Sequence, residues 1–236
     1  MTLNNYPETY NTYQETAIGE NEIASALELD SEKTYTKRIG EKIDRKKLKE
    51  GKEHFLKIKS RGFEMTATRK VVPIGTKEEA VEAENAHKDE ATKLARKLTS
   101  LPVTLDKVYK EGVTGYRTVT KGTYEETGTA VNRLTYVFAA AIDEHPLYKR
   151  MIEVEYDGSG LYKVKSNIPK KVIKLDTVQT ISAENLESEI ENRYLTAEQK
   201  EKGKIMYVSD KDGSMWLVYL YPDYEERRTK TIEITE

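Results

Sequence analysis

The sequence predicts an α+β protein, mostly antiparallel β-sheet built from hairpins, with three to four helices packed on it and an arm at the N-terminus. Three observations lead there. Short apolar runs of period two recur along the chain, separated by turns rich in Gly and Asp, as half-buried strands require. A few longer stretches carry apolar residues at spacings of three and four behind Ser or Thr caps, the pattern of amphipathic helices. Charge is also unevenly spread. Residues 1–32 hold seven acids and no Lys or Arg, whereas 33–61 hold twelve Lys or Arg and four acids.

Residues 1–32 read as an acidic arm. Tyr6, Tyr10 and Tyr13 stand at i, i+4 and i+7, so a helical arm presents all three on one face. Pro7 is compatible with the first turn of such a helix. Residues 33–52 predict a basic helix closed by Gly51, with Ile39 and Ile43 on one side. Lys37, Arg38, Lys42, Arg45, Lys46, Lys47 and Lys49 surround that side. With Lys57, Lys59 and Arg61 they make a candidate basic surface. His54 to Ile74 then predicts a hairpin turning at Ser60-Arg61-Gly62, with Leu56, Ile58, Phe63, Met65, Ala67 and Val71 alternating.

The segment 77–99 predicts the longest helix. Thr76 with Glu79 forms a capping box, and Pro102 stops the helix. Its stripe of Ala80, Ala83, His87, Ala91, Leu94 and Leu98 suits close packing on a sheet. From Val103 to Tyr124, short strand runs are broken by Gly112, Gly115 and Gly122. Val131 to Ile142 is read as a helix, with a buried strand at Leu134–Phe138 as the alternative. A hairpin over 152–165 turns at Asp157-Gly158-Ser159-Gly160, with Glu153 and Glu155 facing Lys163 and Lys165. Val172 to Val178 is a further strand. Ser182 caps a helix with the stripe Leu186, Ile190 and Tyr194, and Thr196 with Gln199 caps a short one closed by Gly203. The last hairpin pairs Ile205–Val208 with Met215–Tyr221, apolar on both faces, and Arg228–Thr235 forms an edge strand. The organisation expected is an arm (1–32), a basic helix, hairpin and long helix (33–100), and an antiparallel region (101–236), any boundary falling near Leu101-Pro102.

Composition narrows the function. Tyr is 16 against Phe 3 and Trp 1, and tyrosine suits half-buried strands and contact surfaces. The absence of Cys excludes disulfides, thiolate metal sites and a cysteine nucleophile. The opening residues have neither a basic start nor an apolar run, and the longest apolar stretch, Val137–Ile142, is too short for a bilayer. A cytoplasmic or virion location without signal peptide or membrane span is therefore expected.

Local signatures of catalysis are missing. His54, His87 and His145 are far apart and form no ligand pair. Asp143-Glu144-His145 is the single carboxylate–histidine cluster, to be weighed as a loop before Pro146 or as a general base or metal ligand. Asp210-Lys211-Asp212-Gly213 lacks the spacing of a calcium loop, and no Gly-x-Ser-x-Gly elbow occurs. No catalytic residue, metal or cofactor is assigned. The function expected is non-enzymatic protein–protein interaction or assembly, of phage, viral or mobile-element kind. The partner is a protein, including another copy whose acidic arm lies on the basic stretch 33–61. Two alternatives stand beside it. One is nucleic-acid binding through 33–61, with Tyr35 or Phe63 stacking on bases. The other is an enzyme without a local motif, such as a metal-dependent hydrolase.

Overall fold

The computed structural model describes residues 6–120 and 123–235, the side chains of Lys49, 113–120 and 123–129 lying outside the description. In chain order the elements begin with β1 (Thr9–Thr16), α1 (Glu20–Ala26), β2 (Thr34–Lys37), α2 (Arg45–Lys49), β3 (His54–Ile58) and β4 (Phe63–Ala67). They continue with α3 (Lys77–Leu98), β5 (Val103–Thr120), β6 (Thr123–Ile142), β7 (His145–Asp157), β8 (Gly160–Ser166) and β9 (Lys171–Gln179). Last come α4 (Ala183–Asn192), α5 (Ala197–Lys202), β10 (Lys204–Ser209), β11 (Ser214–Asp223) and β12 (Arg228–Glu233).

The expected mostly antiparallel hairpin sheet with three to four helices is corrected in three respects. Strand makes up 47% and helix 23%, with five helices among the described residues. The twelve strands are mixed in direction: β2 runs parallel to β3, and β10 meets β7 in parallel at Tyr207↔Leu147. The β2–β3 crossover is short because Gly40, at φ +81°, and α2 carry the chain back. Third, there is no N-terminal arm over Thr9–Thr16. β1 is an interior strand, paired with β11 on one edge and β9 on the other. Its Thr and Tyr residues favour the extended backbone over a helix, and both of its hydrogen-bonding edges are used.

The readings of 103–142 are corrected as well. Gly112 and Gly115 do not break β5, which pairs with β6 along its length with four register irregularities, and Gly122 lies outside the described residues. Val131–Ile142 is strand, not helix. Leu134, Tyr136, Val137, Phe138 and Ala140 are buried, and β-branched and aromatic side chains covered on both faces give no clear periodicity. The basic helix expected over 33–52 shrinks to five residues, because Asp44 caps it at Lys46 and Lys47 and the preceding Thr-Tyr-Thr extends as β2.

The chain divides into two compact units that alternate along the sequence. The first comprises residues up to Thr16, Ala141–Lys149 and everything from Lys171 onward. Its strands follow the order β7-β10-β11-β1-β9, the start of β7 contributing, with β12 alongside β11. β11 buries residues on both faces as expected, including Met215, Leu217, Val218, Tyr219 and Leu220. Leu186 and Ile190 of α4 are buried, whereas Tyr194 falls beyond the helix and is 91% exposed, correcting its place in the stripe.

The second unit comprises Ala17–Ala140 and Arg150–Lys170. Its strands follow the order β2-β3-β4-β8-β7, and β6 joins β5 to β7. Leu56, Phe63, Met65, Val164, Ile152, Val154 and Tyr156 form its buried face. α3 lies on that face: the His87 ring stacks on Tyr156 at 4.3 Å, and the Tyr136 hydroxyl donates to the Glu84 carbonyl at 2.6 Å. Alanines at 80, 91 and 95 are fully buried, which allows the close approach. The turn before β4 needs Gly62, whose φ is +97° and whose added Cβ would sit 1.8 Å from the Ser166 carbonyl oxygen. The Thr76 capping box is formed, Glu79 N donating to Thr76 Oγ1 at 3.2 Å. Thr76→Ala is expected to cost about 1 kcal/mol of stability in urea denaturation. No helix of the described residues is long and apolar enough to cross a membrane.

Candidate interaction surface

The two groups of residues singled out by sequence have different fates. Tyr10 and Tyr13 are buried in the first unit, and Tyr6 is half-buried. In a regular strand, residues three apart point to opposite faces. Between Thr12 and Tyr13 the β1–β9 ladder slips, leaving Leu175 unopposed, and both rings reach Tyr207, at centroid distances of 6.4 and 5.7 Å. Hydroxyls tie this cluster down. Tyr10 shares a 2.5 Å hydrogen bond with Thr235, Tyr13 donates to Asp143 at 2.6 Å, and Tyr207 donates to the Asn11 carbonyl at 2.9 Å.

Asp143 and Glu144 are the two-residue turn between β6 and β7, both at positive φ, as a tight hairpin demands. Asn11 Nδ2 adds a bond to Asp143 at 3.0 Å. Burial lowers the His145 pKa, against the pull of Asp143 and Glu144, and burial raises that of Tyr13, with Asp143 adding to it. His145 packs edge-on to Tyr207 at 6.3 Å, and no hydrogen bond between Asp143 and His145 is found among the described residues. The cluster thus reads as a lock on the β1 register. No group of three metal-ligating side chains is found among the described residues.

The basic residues belong to the second unit. The face of its sheet opposite α3 carries alternate residues of β2, β3, β4, β8 and β7. Cross-strand registers place Tyr35 beside Phe55, Lys37 beside Lys57, Glu64 beside Lys165, and Glu153 beside Lys165. Part of this charge is neutralised. Lys59 reaches Glu64 at 2.7 Å, Lys163 reaches Glu64 at 3.2 Å, and Lys165 reaches Glu153 at 2.8 Å. The Lys59 hydrogen bond, then Lys163, holds the Glu64 carboxyl down to about 2. Glu155 turns to Arg133 at 2.9 Å. Arg38 pairs with Glu20 at 2.7 Å, so acidic α1 is engaged within its own unit.

Four of the remaining cations have no such partner among the described residues. Lys42, Arg45, Lys46 and Lys47 are exposed, and no ion pair links them to a described carboxylate. Lys57 is exposed and Lys37 half-buried, and their opposition in the ladder is a like-charge contact, which costs stability. Arg61 is half-buried, and the side chain of Lys49 lies outside the described residues. Beside these cations, Leu48, Lys52, Phe55, Thr66, Ala67 and Thr68 line a cleft of about 440 Å³. The Phe55 ring stacks on Tyr35 at 5.8 Å, and Ile39 and Ile43 stand 62% and 47% exposed on the approach from β2 to α2.

Phe55, Leu48, Lys52 and Thr66 were not singled out from sequence. The parallel β2–β3 pairing that sets Tyr35 against Phe55 leaves no local pattern, so only the fold could reveal the cleft. No family model matches the chain, and no curated protein is significantly similar to it.

Proposed function

We propose that this is a non-enzymatic protein-interaction or assembly protein that binds an acidic protein segment on the open face of its second unit. The observation that carries the reading is the set of exposed cations without carboxylate partners beside a cleft lined by Leu48, Phe55 and Ala67 together with Lys52, Thr66 and Thr68. A carboxylate-bearing segment would relieve the Lys37–Lys57 repulsion, and an apolar side chain in the cleft would anchor it. The cleft volume falls within the usual range for ligand sites, about 300–1,000 Å³. The interior placement of β1 argues against Thr9–Thr16 as the acidic occupant.

A Glu/Tyr random copolymer tests this reading. Fluorescence anisotropy should show binding at low salt that weakens sharply by about 0.5 M salt, where charge pairs are screened. Lys46→Glu with Lys47→Glu should weaken binding at least about tenfold while leaving the melting temperature unchanged, since both side chains are exposed. Absence of salt-sensitive binding would dismiss the reading. Stacked Tyr35 and Phe55 beside cations also favour a second reading, single-stranded nucleic acid. Tighter binding of an oligonucleotide than of the copolymer would select it.

A further inference from the structure

The acidic occupant of the cleft has a candidate on this same chain. Helix α4, in the first unit, exposes Glu184, Glu187, Glu189 and Glu191, and no ion pair links them to a described cation. Immediately beyond it stands Tyr194, the most exposed of the large apolar side chains described, at 91%. Its backbone is held at φ +53°, and its amide donates to the Glu191 carbonyl at 2.9 Å. A bulky residue in the left-handed region costs stability. The fold therefore carries, at one acidic corner, an aromatic ring that is neither buried nor conformationally relaxed. Within residues 183–194 the only Lys or Arg is Arg193.

We infer that α4 and Tyr194 of one copy dock on the basic cleft of another, with the Tyr194 ring seated among Leu48, Phe55 and Ala67. The inference rests on the acidic-partner reading and names the partner as a second copy of the chain. Charge is complementary: four glutamates without cationic partners face Lys42, Arg45, Lys46 and Lys47. An aromatic anchor in a small cleft ringed by charge pairs is a common arrangement for a contact centre. The two surfaces differ, so the contact is heterologous, and repetition yields a chain or a ring of copies.

The test is complementation between two variants of the full chain, read by sedimentation velocity at low salt. Wild type should associate with rising concentration and dissociate at high salt. Tyr194→Asn keeps a residue tolerant of left-handed backbone and should weaken association at least about tenfold. Lys46→Glu with Lys47→Glu should do the same. Mixed together, the first variant still offers an intact cleft and the second an intact α4 and Tyr194, so the mixture should form a dimer and nothing larger. A wild type that stays monomeric at every concentration overturns the inference. So does association that both variants leave untouched, or a mixture that stays monomeric. In these cases copolymer binding separates the two ideas. If it persists, the acidic-partner reading stands and only the self-partner fails; if it is absent, both fail.

Discussion

Replacing Asp157 by alanine is expected to destabilise the second unit by about 2–3 kcal/mol, because buried amides lose their acceptor while Arg69, 34% exposed, still reaches water. The side chain is fully buried at the end of β7. It pairs with Arg69 and accepts amide bonds from Val72 at 3.0 Å and Ser159 at 2.8 Å. Gly158 N in turn donates to the Val72 carbonyl at 2.8 Å, so this carboxylate fastens the loop after β4 to the β7–β8 turn. Alanine leaves the two amides without their acceptor, while the Arg69 guanidinium keeps only its long bond to the Leu161 carbonyl at 3.4 Å. Urea denaturation should show the loss, and a change below about 1 kcal/mol would mean that water replaces the carboxylate.

The same residue has a pH signature. Burial alone would raise the Asp157 pKa, but Arg69 and the two amides more than offset this and hold it below the ordinary aspartate value. Its folded value lies below its unfolded value, so protonation favours the unfolded chain. The contribution is complete above the unfolded carboxyl range near pH 4 and is lost as pH falls through the folded value. Glu64, held down to about 2, acts in the same sense. Wild type should lose stability steeply below about pH 4, and Asp157→Asn should flatten that slope. Parallel curves for the two proteins would refute the assignment.

The second large effect is expected at Tyr207. Its ring is 1% exposed and meets Tyr10, Tyr13 and His145, while its hydroxyl bonds to the Asn11 carbonyl. Tyr207→Ala opens a cavity under β1 and should cost about 3–5 kcal/mol. Tyr207→Phe keeps the ring contacts and removes the hydroxyl's bonds to the Asn11 carbonyl at 2.9 Å and, weaker, to Asp143 at 3.4 Å, for about 1 kcal/mol. Hydrogen exchange on β1 separates this from a general loss of packing. Amides of Thr9–Thr16 should lose protection first in the alanine variant, because Tyr207 bridges Tyr10 and Tyr13 across the register slip. Uniform loss throughout the first unit would show that Tyr207 fills space without holding β1.

Much of the local structure was legible. The capping boxes at Thr76 and Thr196, the helix over Lys77–Leu98 and the Glu153/Glu155–Lys163/Lys165 ladder follow from patterns spanning only a few residues. The errors fall where tertiary contacts override periodicity. The tyrosines at 6, 10 and 13 match a helical face by spacing, yet Tyr10 and Tyr13 lie on a strand and both meet the ring of Tyr207, far away in sequence. The run 131–142 is apolar on successive positions because it is covered on both faces, and burial on both faces erases the period that would identify a strand.

The candidate surface divides along the same line. The excess of positive charge over 33–61 and the lack of any cysteine-based, nucleotide-cradling or hydrolase motif are properties of the linear chain, set by which residues are present and how closely they follow one another. Which cations are neutralised, where the cleft opens, and that the opening strand is interior were decided by pairing between distant segments. Arg38 meets Glu20, Lys59 and Lys163 share Glu64, and β1 is flanked by β9 and β11, far away in sequence. Such pairings are selected by the burial of whole sheet faces, a quantity summed over many residues at once, and so they are carried by no single stretch of the chain.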